Sequence, residues 1–262
     1  MKRYIDFVWI MTEKEIKVRY KHAVLGFFWI LLNPLLQMVI MGFIFQYFVP
    51  VRVDNYFLFL FAGLLPWNFF AGSLTKSTPA FYYERSLIKK SKFPREAIVL
   101  SIVFSNLFHF MVALFLLIVI LIGDKITLEG YTLSSLINYT SRMLWLFPAV
   151  VWISLLTSML SLLTATINVR FRDINFITQL GISLWFYATP IVYTLSLLPA
   201  YLRPIFYLNP VTVIVEIFQY SLLNLPIYSI RLGIVSFILT LIITWLAITI
   251  FRKESKNFDD WL

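Results

Sequence analysis

Six apolar stretches, each long enough to cross a lipid bilayer, dominate this 262-residue sequence. A helix rises 1.5 Å per residue, so about 20 apolar residues cross roughly 30 Å of hydrocarbon. Windows at residues 24 to 49, 56 to 76, 97 to 123, 142 to 167, 174 to 194 and 229 to 251 meet that length. With 60% hydrophobic and 13% charged residues, the chain carries more apolar surface than a soluble domain of its size can bury, so the bilayer is its solvent. No short segments alternate at period two, which argues against a transmembrane β-barrel. The expected fold class is all-α integral membrane, with six transmembrane helices in one domain spanning residues 1–262.

Basic residues orient such a chain, because Lys and Arg of short loops stay on the cytoplasmic side. Residues 1–22 hold Lys2, Arg3, Lys14, Lys17, Arg19 and Lys21, and residues 76–96 hold Lys76, Arg85, Lys89, Lys90, Lys92 and Arg95. Arg170 and Arg172 follow the fourth window, and Arg252, Lys253 and Lys256 follow the sixth. Only Arg52, Lys125, Arg142, Arg203 and Arg231 fall on the other side, so both termini are expected in the cytoplasm. The net charge of +9 then reports topology, with anionic lipid or an acidic partner as company rather than nucleic acid. Without cysteine the chain has no disulfide, thiolate metal site or cysteine nucleophile. The first 22 residues lack the apolar core of a cleavable signal, so the N-terminus is expected to be retained.

On a helical wheel residues 1–22 show a stripe of Ile5, Trp9, Ile16 and Tyr20, with Phe7, Met11 and Val18 opposite and charges between. One apolar face suffices for a helix lying on lipid; two predict an interfacial helix that also packs against protein. Between the second and third windows, residues 86–96 read SLIKKSKFPRE. A short helix over Leu87–Lys92, stopped before Pro94, is expected to present Lys89, Lys90, Phe93 and Arg95 to the cytoplasm. Composition alone also fits a plain positive-inside loop; Ile88 and Phe93 favour a structured element able to transmit force.

Residues 195–228 carry Pro199, Pro204, Pro210 and Pro226 in segments too short to span, which predicts external or re-entrant helices around an aqueous vestibule. Glu216 and Gln219 fall there one turn apart; the carboxylate is expected to face water, with a gating role as the alternative. A further span, 229–251, and a cytoplasmic tail, 252–262, complete the chain. Its 26 Phe, 14 Tyr and 8 Trp exceed what interfacial belts need. Clusters containing Phe28, Trp29, Trp67, Phe70, Trp185 and Tyr187, together with Tyr193, supply flat faces for the C–H surfaces of sugar rings; core packing is the alternative for any single ring.

Ion-coupled transport is poorly supported: the first four windows lack central charges, and His109 stands alone. Walker A, HExxH and GxSxG signatures are absent, so no catalytic residue or metal site is assigned. Gly72–Ser77 ends like a phosphate loop but lacks its spacing, and Asp259-Asp260 belongs to a charged tail. Any work this protein does is powered by another subunit.

The motifs EIKVRYK at 15–21, Leu25-Gly26, Trp29 and Pro34 resemble the opening of the ABC-2 type polysaccharide-export permeases, a family of O-antigen, capsule and teichoic acid exporters. The likeness continues in order through GLLPWNFF at 63–70, LIKKSKFPRE at 87–96, NVRFRD at 168–173, TPIVY at 189–193 and Asn209-Pro210, and is nearest to the O-antigen branch. It implies a homodimer joined to two ATP-binding subunits, with ATP and Mg bound by those partners, exporting a polyprenyl-pyrophosphate-linked glycan across the bacterial plasma (inner) membrane. It further implies that Leu87, Ile88, Lys89, Lys90, Lys92, Phe93, Pro94, Arg95 and Glu96 form the ATPase-coupling helix. Lys17, Arg19 or Lys21 would meet the lipid pyrophosphate, while Arg170, Arg172 and Asp173 would form a cytoplasmic turn and the proline-broken region an external gate. Export of a small lipid or drug shares the fold. An intramembrane sugar transferase would need paired carboxylates, whereas Glu84, Glu96 and Asp173 are scattered; a structural scaffold fits composition alone.

Overall fold

The computed structural model describes residues 2–21, 28–48, 53, 55–90, 93–128 and 139–261. Among the described residues every regular element is helical, and all peptide bonds are trans. In chain order the elements are α1 (Lys2–Tyr20), α2 (Trp29–Phe48), α3 (Tyr56–Ser77), α4 (Ala80–Tyr83), α5 (Arg85–Lys90) and α6 (Glu96–Leu128). There follow α7 (Leu146–Arg170), α8 (Ile174–Tyr187), α9 (Arg203–Phe206), α10 (Pro210–Leu223), α11 (Ile230–Glu254) and α12 (Phe258–Trp261).

Four helices among the described residues are long and apolar enough to cross a bilayer: Tyr56–Ser77, Glu96–Gly123, Tyr139–Arg170 and Ile230–Asn257. The all-α membrane fold is as expected, but six full spans are not confirmed, and the fifth window holds a shorter helix than expected. That helix, α8, has 14 residues and rises about 21 Å, short of the hydrocarbon thickness. It stops at Tyr187 because Pro190 pushes Thr189 out of the α region, and residues 188–194 continue as turns. The first window is represented by α2, 20 residues long; its expected ends at 24–27 and at 49 lie outside the described residues.

The centre of the bundle is α3, with α2, α6, α7, α8 and α10 packed around it. Its buried side includes Phe59, Leu60, Phe61, Leu64, Trp67 and Phe70. Close approach is set by missing side chains: a Cβ on Gly42 would lie 2.5 Å from the Phe57 ring, and one on Gly63 would lie 3.2 Å from Ile191. Among the described residues, α7 and α11 form the most extensive helix pair. Only Ser236, Thr240 and Ala247 of α11 are buried, a stripe of small residues that lets two backbones approach in lipid. Across it the Trp152 indole N–H donates to Thr240 Oγ1 at 2.8 Å.

The short helix α10 is not a surface cap: Val211, Ile214, Val215, Phe218 and Leu222 belong to the main core, so it packs inside the bundle. Asn209 starts it. Its Oδ1 accepts from the Val211 N–H at 3.0 Å and from the Trp185 indole at 2.8 Å, while its Nδ2 donates to Thr189 Oγ1 at 2.9 Å. Pro210 occupies the first helical position, where a missing N–H costs nothing. At the far end Asn224 adopts the left-handed conformation (φ 60°) that closes helix C-termini.

One amide thus joins the TP turn, the NP turn and α8. We expect Asn209→Ala to destabilise the protein by about 1–2 kcal/mol through the lost cap and orphaned indole. Thermal unfolding in detergent checks this; an unchanged midpoint would remove Asn209 as the organiser.

Candidate functional site

At the cation-rich end, α1 lies along α6. Its two apolar faces divide: Val8 and Met11 are buried and Phe7 packs on Phe93 at 4.9 Å, whereas Ile5 and Trp9 are exposed. Val18, grouped with Phe7 and Met11 on the wheel, is also exposed. Lys14 ties α1 to the α4–α5 turn through Glu84 at 2.7 Å.

Near the end of α1, Arg19 turns inward. It donates to Asn106 Oδ1 at 2.6 Å and to His109 Nδ1 at 2.8 Å, both on α6. A guanidinium only donates, so Nδ1 must be the acceptor and the imidazole there is neutral, with its proton on Nε2. Asn106 in turn donates to Ser73 Oγ on α3 at 3.1 Å. Arg19 and Lys76 both line a cavity of about 500 Å³. Its walls also include Trp29, Gln37, Asn68 and Gly72, with Asn68 donating to Gln37 Oε1 at 2.8 Å. Of the three sequence candidates, only Arg19 reaches this cavity: Lys17 pairs with Glu13 at 2.5 Å on the exposed side, and Lys21 is exposed at the helix end. Sequence reasoning missed Lys76, Asn106 and His109 as a group. The signal available was their polarity on two apolar helices, which becomes a constellation only when α3 and α6 are packed.

The segment Leu87–Glu96 differs from its expectation. Ile88 is buried, Leu87 half-buried and Lys89 exposed; the Lys90 side chain and all of Lys92 lie outside the described residues. Phe93 and Arg95 are not presented outward. Phe93 packs on Phe7, and Arg95 donates to the Ser255 carbonyl with its guanidinium 5.6 Å from the Phe258 ring centroid. Pro94 and Glu96 border the same small groove as Ser255 and Lys256. At the α7–α8 turn the two arginines diverge: Arg170 lies over Trp261 at 5.5 Å and Arg172 over Tyr82 at 4.8 Å, while Asp173 is exposed.

The aromatic candidates also separate. Trp67 and Phe70 are buried, at 5.5 Å from Phe186 and 5.2 Å from Trp185 respectively, so in this conformation they pack the core and offer no face to a passing chain. Phe28 and Tyr187 are exposed, and Trp29 borders the cavity. Tyr193 donates its hydroxyl proton to the Tyr187 carbonyl at 2.8 Å, which ties the TP turn back to the end of α8.

At the opposite end a second cavity, about 1100 Å³, is bordered by Asn55, Arg142, Arg203, Glu216, Gln219 and Tyr228. Glu216 is 8% exposed, not a solvated carboxylate: its Oε2 accepts from the Tyr207 hydroxyl and, at 3.4 Å, from the Tyr228 N–H. The two hydrogen bonds offset part of the cost of burying it. Among the described residues no His, Cys, Asp and Glu group is arranged to hold a metal ion.

The family model of ABC-2 type transporters matches residues 6–223. Two O-antigen export system permease proteins RfbA of Klebsiella pneumoniae are 35% and 32% identical over 262 residues, each comparison covering 98% of this chain and 95% of the relative. A third, from Myxococcus xanthus, is 35% identical over 190 residues, covering 71% of this chain and 67% of its own. The match runs from the inward-turning α1 through the buried α10, and on that extent this chain belongs to the ABC-2 type transporter family.

Proposed function

We propose that this multi-pass membrane protein is the permease subunit of an ATP-driven exporter that moves an O-antigen-like, polyprenyl-pyrophosphate-linked glycan across the bacterial inner membrane. The full-length relation to permeases named for O-antigen export carries the reading. No nucleotide-binding motif occurs in the chain, so ATP and Mg are assigned to two copies of a partner ATPase. The termini and the α4–α5 segment are assigned to the cytoplasm on the distribution of Lys and Arg.

The cavity between α1, α2, α3 and α6 supplies the chemistry a lipid pyrophosphate needs. Arg19 is oriented toward it by hydrogen bonds to two neutral side chains, and Lys76 adds a second cation on the same wall. Trp29 at the rim offers a ring face to the first sugar. Replacing Arg19 by Gln or Lys76 by Gln removes one charge-assisted contact worth roughly 1.5–3 kcal/mol, so each weakens polyprenyl pyrophosphate binding about 10-fold or more. Titration of the lipid into the reconstituted protein measures it; unchanged affinity in both variants would remove the cavity as the headgroup site.

Homodimerisation is supported by α8. No residue of this helix is buried, and Asn175, Gln179 and Ser183 recur at four-residue spacing along one face. Polar side chains facing hydrocarbon are unfavourable, so this face suits a second copy of the chain with the aqueous path beside it. Because the protein lacks cysteine, Gln179→Cys gives a clean test. A short bis-maleimide should link two copies through it, while Ile242→Cys on the exposed face of α11 should not; equal behaviour of the two refutes the assignment.

Coupling to the ATPase is assigned to α5. Its buried Ile88 anchors the helix and Lys89 faces outward, which suits an acidic groove on the partner. Lys89→Glu should lower glycan-stimulated hydrolysis of the assembled complex several-fold without impairing membrane insertion.

A further inference from the structure

We propose that the C-terminal tail, residues 255–261, is part of the coupling unit: it pins the α5–α6 segment to the last membrane helix and passes its displacement to α11. The inference rests on the coupling role assigned above to the α5 segment. Phe258 is fully buried although Lys256 and Asn257 precede it and two aspartates follow it in the sequence. Its ring meets Phe81 of α4 at 4.9 Å and Phe251, in the last turns of α11, at 6.3 Å. Over the same ring sits the Arg95 guanidinium, from the segment that joins α5 to α6, and Arg95 also donates to the Ser255 carbonyl. Three residues on, Trp261 receives Arg170 from the end of α7. The tail therefore touches α4, the α5–α6 segment, α7 and α11 at once.

Contacts of this kind transmit motion because their geometry is restrictive. A cation over a ring loses attraction as it slides off the face, and a ring packed between two others cannot shift alone. An arginine that grips both a backbone carbonyl and a ring of the tail must carry the tail with it, or the contact breaks. Phe251 and Phe258 lie on either side of the 3-10 turn Ser255–Asn257, so tail displacement is passed to the end of α11. Elsewhere α11 packs closely on α7, through its small-residue stripe and through Trp152 against Phe237 and Thr240, so a displaced α11 is coupled to α7. Phe258 is thus a positioning residue that acts through Arg95 and Phe251.

The test uses the permease assembled with its partner ATPase in lipid vesicles. Phe258→Leu keeps the apolar character and removes the ring face; Phe258→Tyr keeps the ring face and adds a hydroxyl. We expect Phe258→Leu to assemble and to hydrolyse ATP at the basal rate, while stimulation by lipid-linked glycan falls at least threefold, and Phe258→Tyr to restore it. Equal stimulation in wild type and Phe258→Leu overturns the proposal. Lys89→Glu is the parallel arm: if it too leaves stimulation intact, the α5 coupling assignment fails, whereas loss in Lys89→Glu alone sinks only the role of the tail. Hydrogen exchange of the wild-type complex, with and without vanadate trapping, guards against a Phe258→Leu chain that does not accumulate. Residues 255–261 should change protection together with 85–96, and an unchanged tail beside a changed 85–96 overturns the proposal.

Discussion

A helix in a bilayer gains nothing by exchanging lipid tails for leucines, so the fold depends on close backbone approach and on polar groups satisfied inside the protein. Both are concentrated at few positions. Ser236, Thr240 and Ala247 allow α11 to reach α7, and the Trp152 indole bonds Thr240 across that seam. Asn209 serves the Trp185 indole, the Thr189 hydroxyl and the Val211 N–H with one amide. Tyr207 bonds Glu216 through its hydroxyl while its carbonyl accepts from Ser236. Such links fix which helices are neighbours, while the many exposed Phe, Ile and Leu side chains fix only that the bundle stays in lipid.

Arginines lie over aromatic rings at both ends of the bundle. At the cation-rich end Arg170, Arg172 and Arg95 lie over aromatic rings, which are weakly hydrated partners that suit a guanidinium at an interface. Arg19 is held another way, drawn between α3 and α6 by neutral hydrogen-bond partners beside a second cation. Two like charges on one small cavity repel each other, and an anion seated between them would relieve that repulsion. At the other end the carboxylate of Glu216 is held by a tyrosine and a backbone amide, and the cavity it borders is otherwise lined by neutral and basic groups, Arg142 and Arg203 among them.

Much of this was legible in the sequence, since hydrophobic length and the positions of Lys and Arg report directly on a bilayer. No helix of the proline-rich stretch is long enough to span, as its breaks predict, and Asn209-Pro210 marks a helix start that the structure explains through capping. What the sequence hid depends on which faces meet. Residues 174–194 are apolar almost throughout, yet hydropathy has no means of showing that Thr189-Pro190 ends the helix early. Arg95 carries the same positive charge as Lys89, and only the folded tail shows that one faces outward and the other holds Phe258. Likewise Trp67 and Phe70 share composition with exposed rings such as Phe28; their burial follows from α3 being central.

Centrality also decides which parts can move. The α3 window is 72% buried and the α11 window 22%, so displacing α3 would break the packing of five neighbours while displacing α11 disturbs mainly α7 and α10. Elements with few internal contacts open at the lowest free-energy cost. Trp67 and Phe70, packed against Trp185 and Phe186, belong to the rigid centre around α3. The described span with the least buried surface is also the one whose end is locked, through Phe251, Phe258 and Arg95, to the segment before α6.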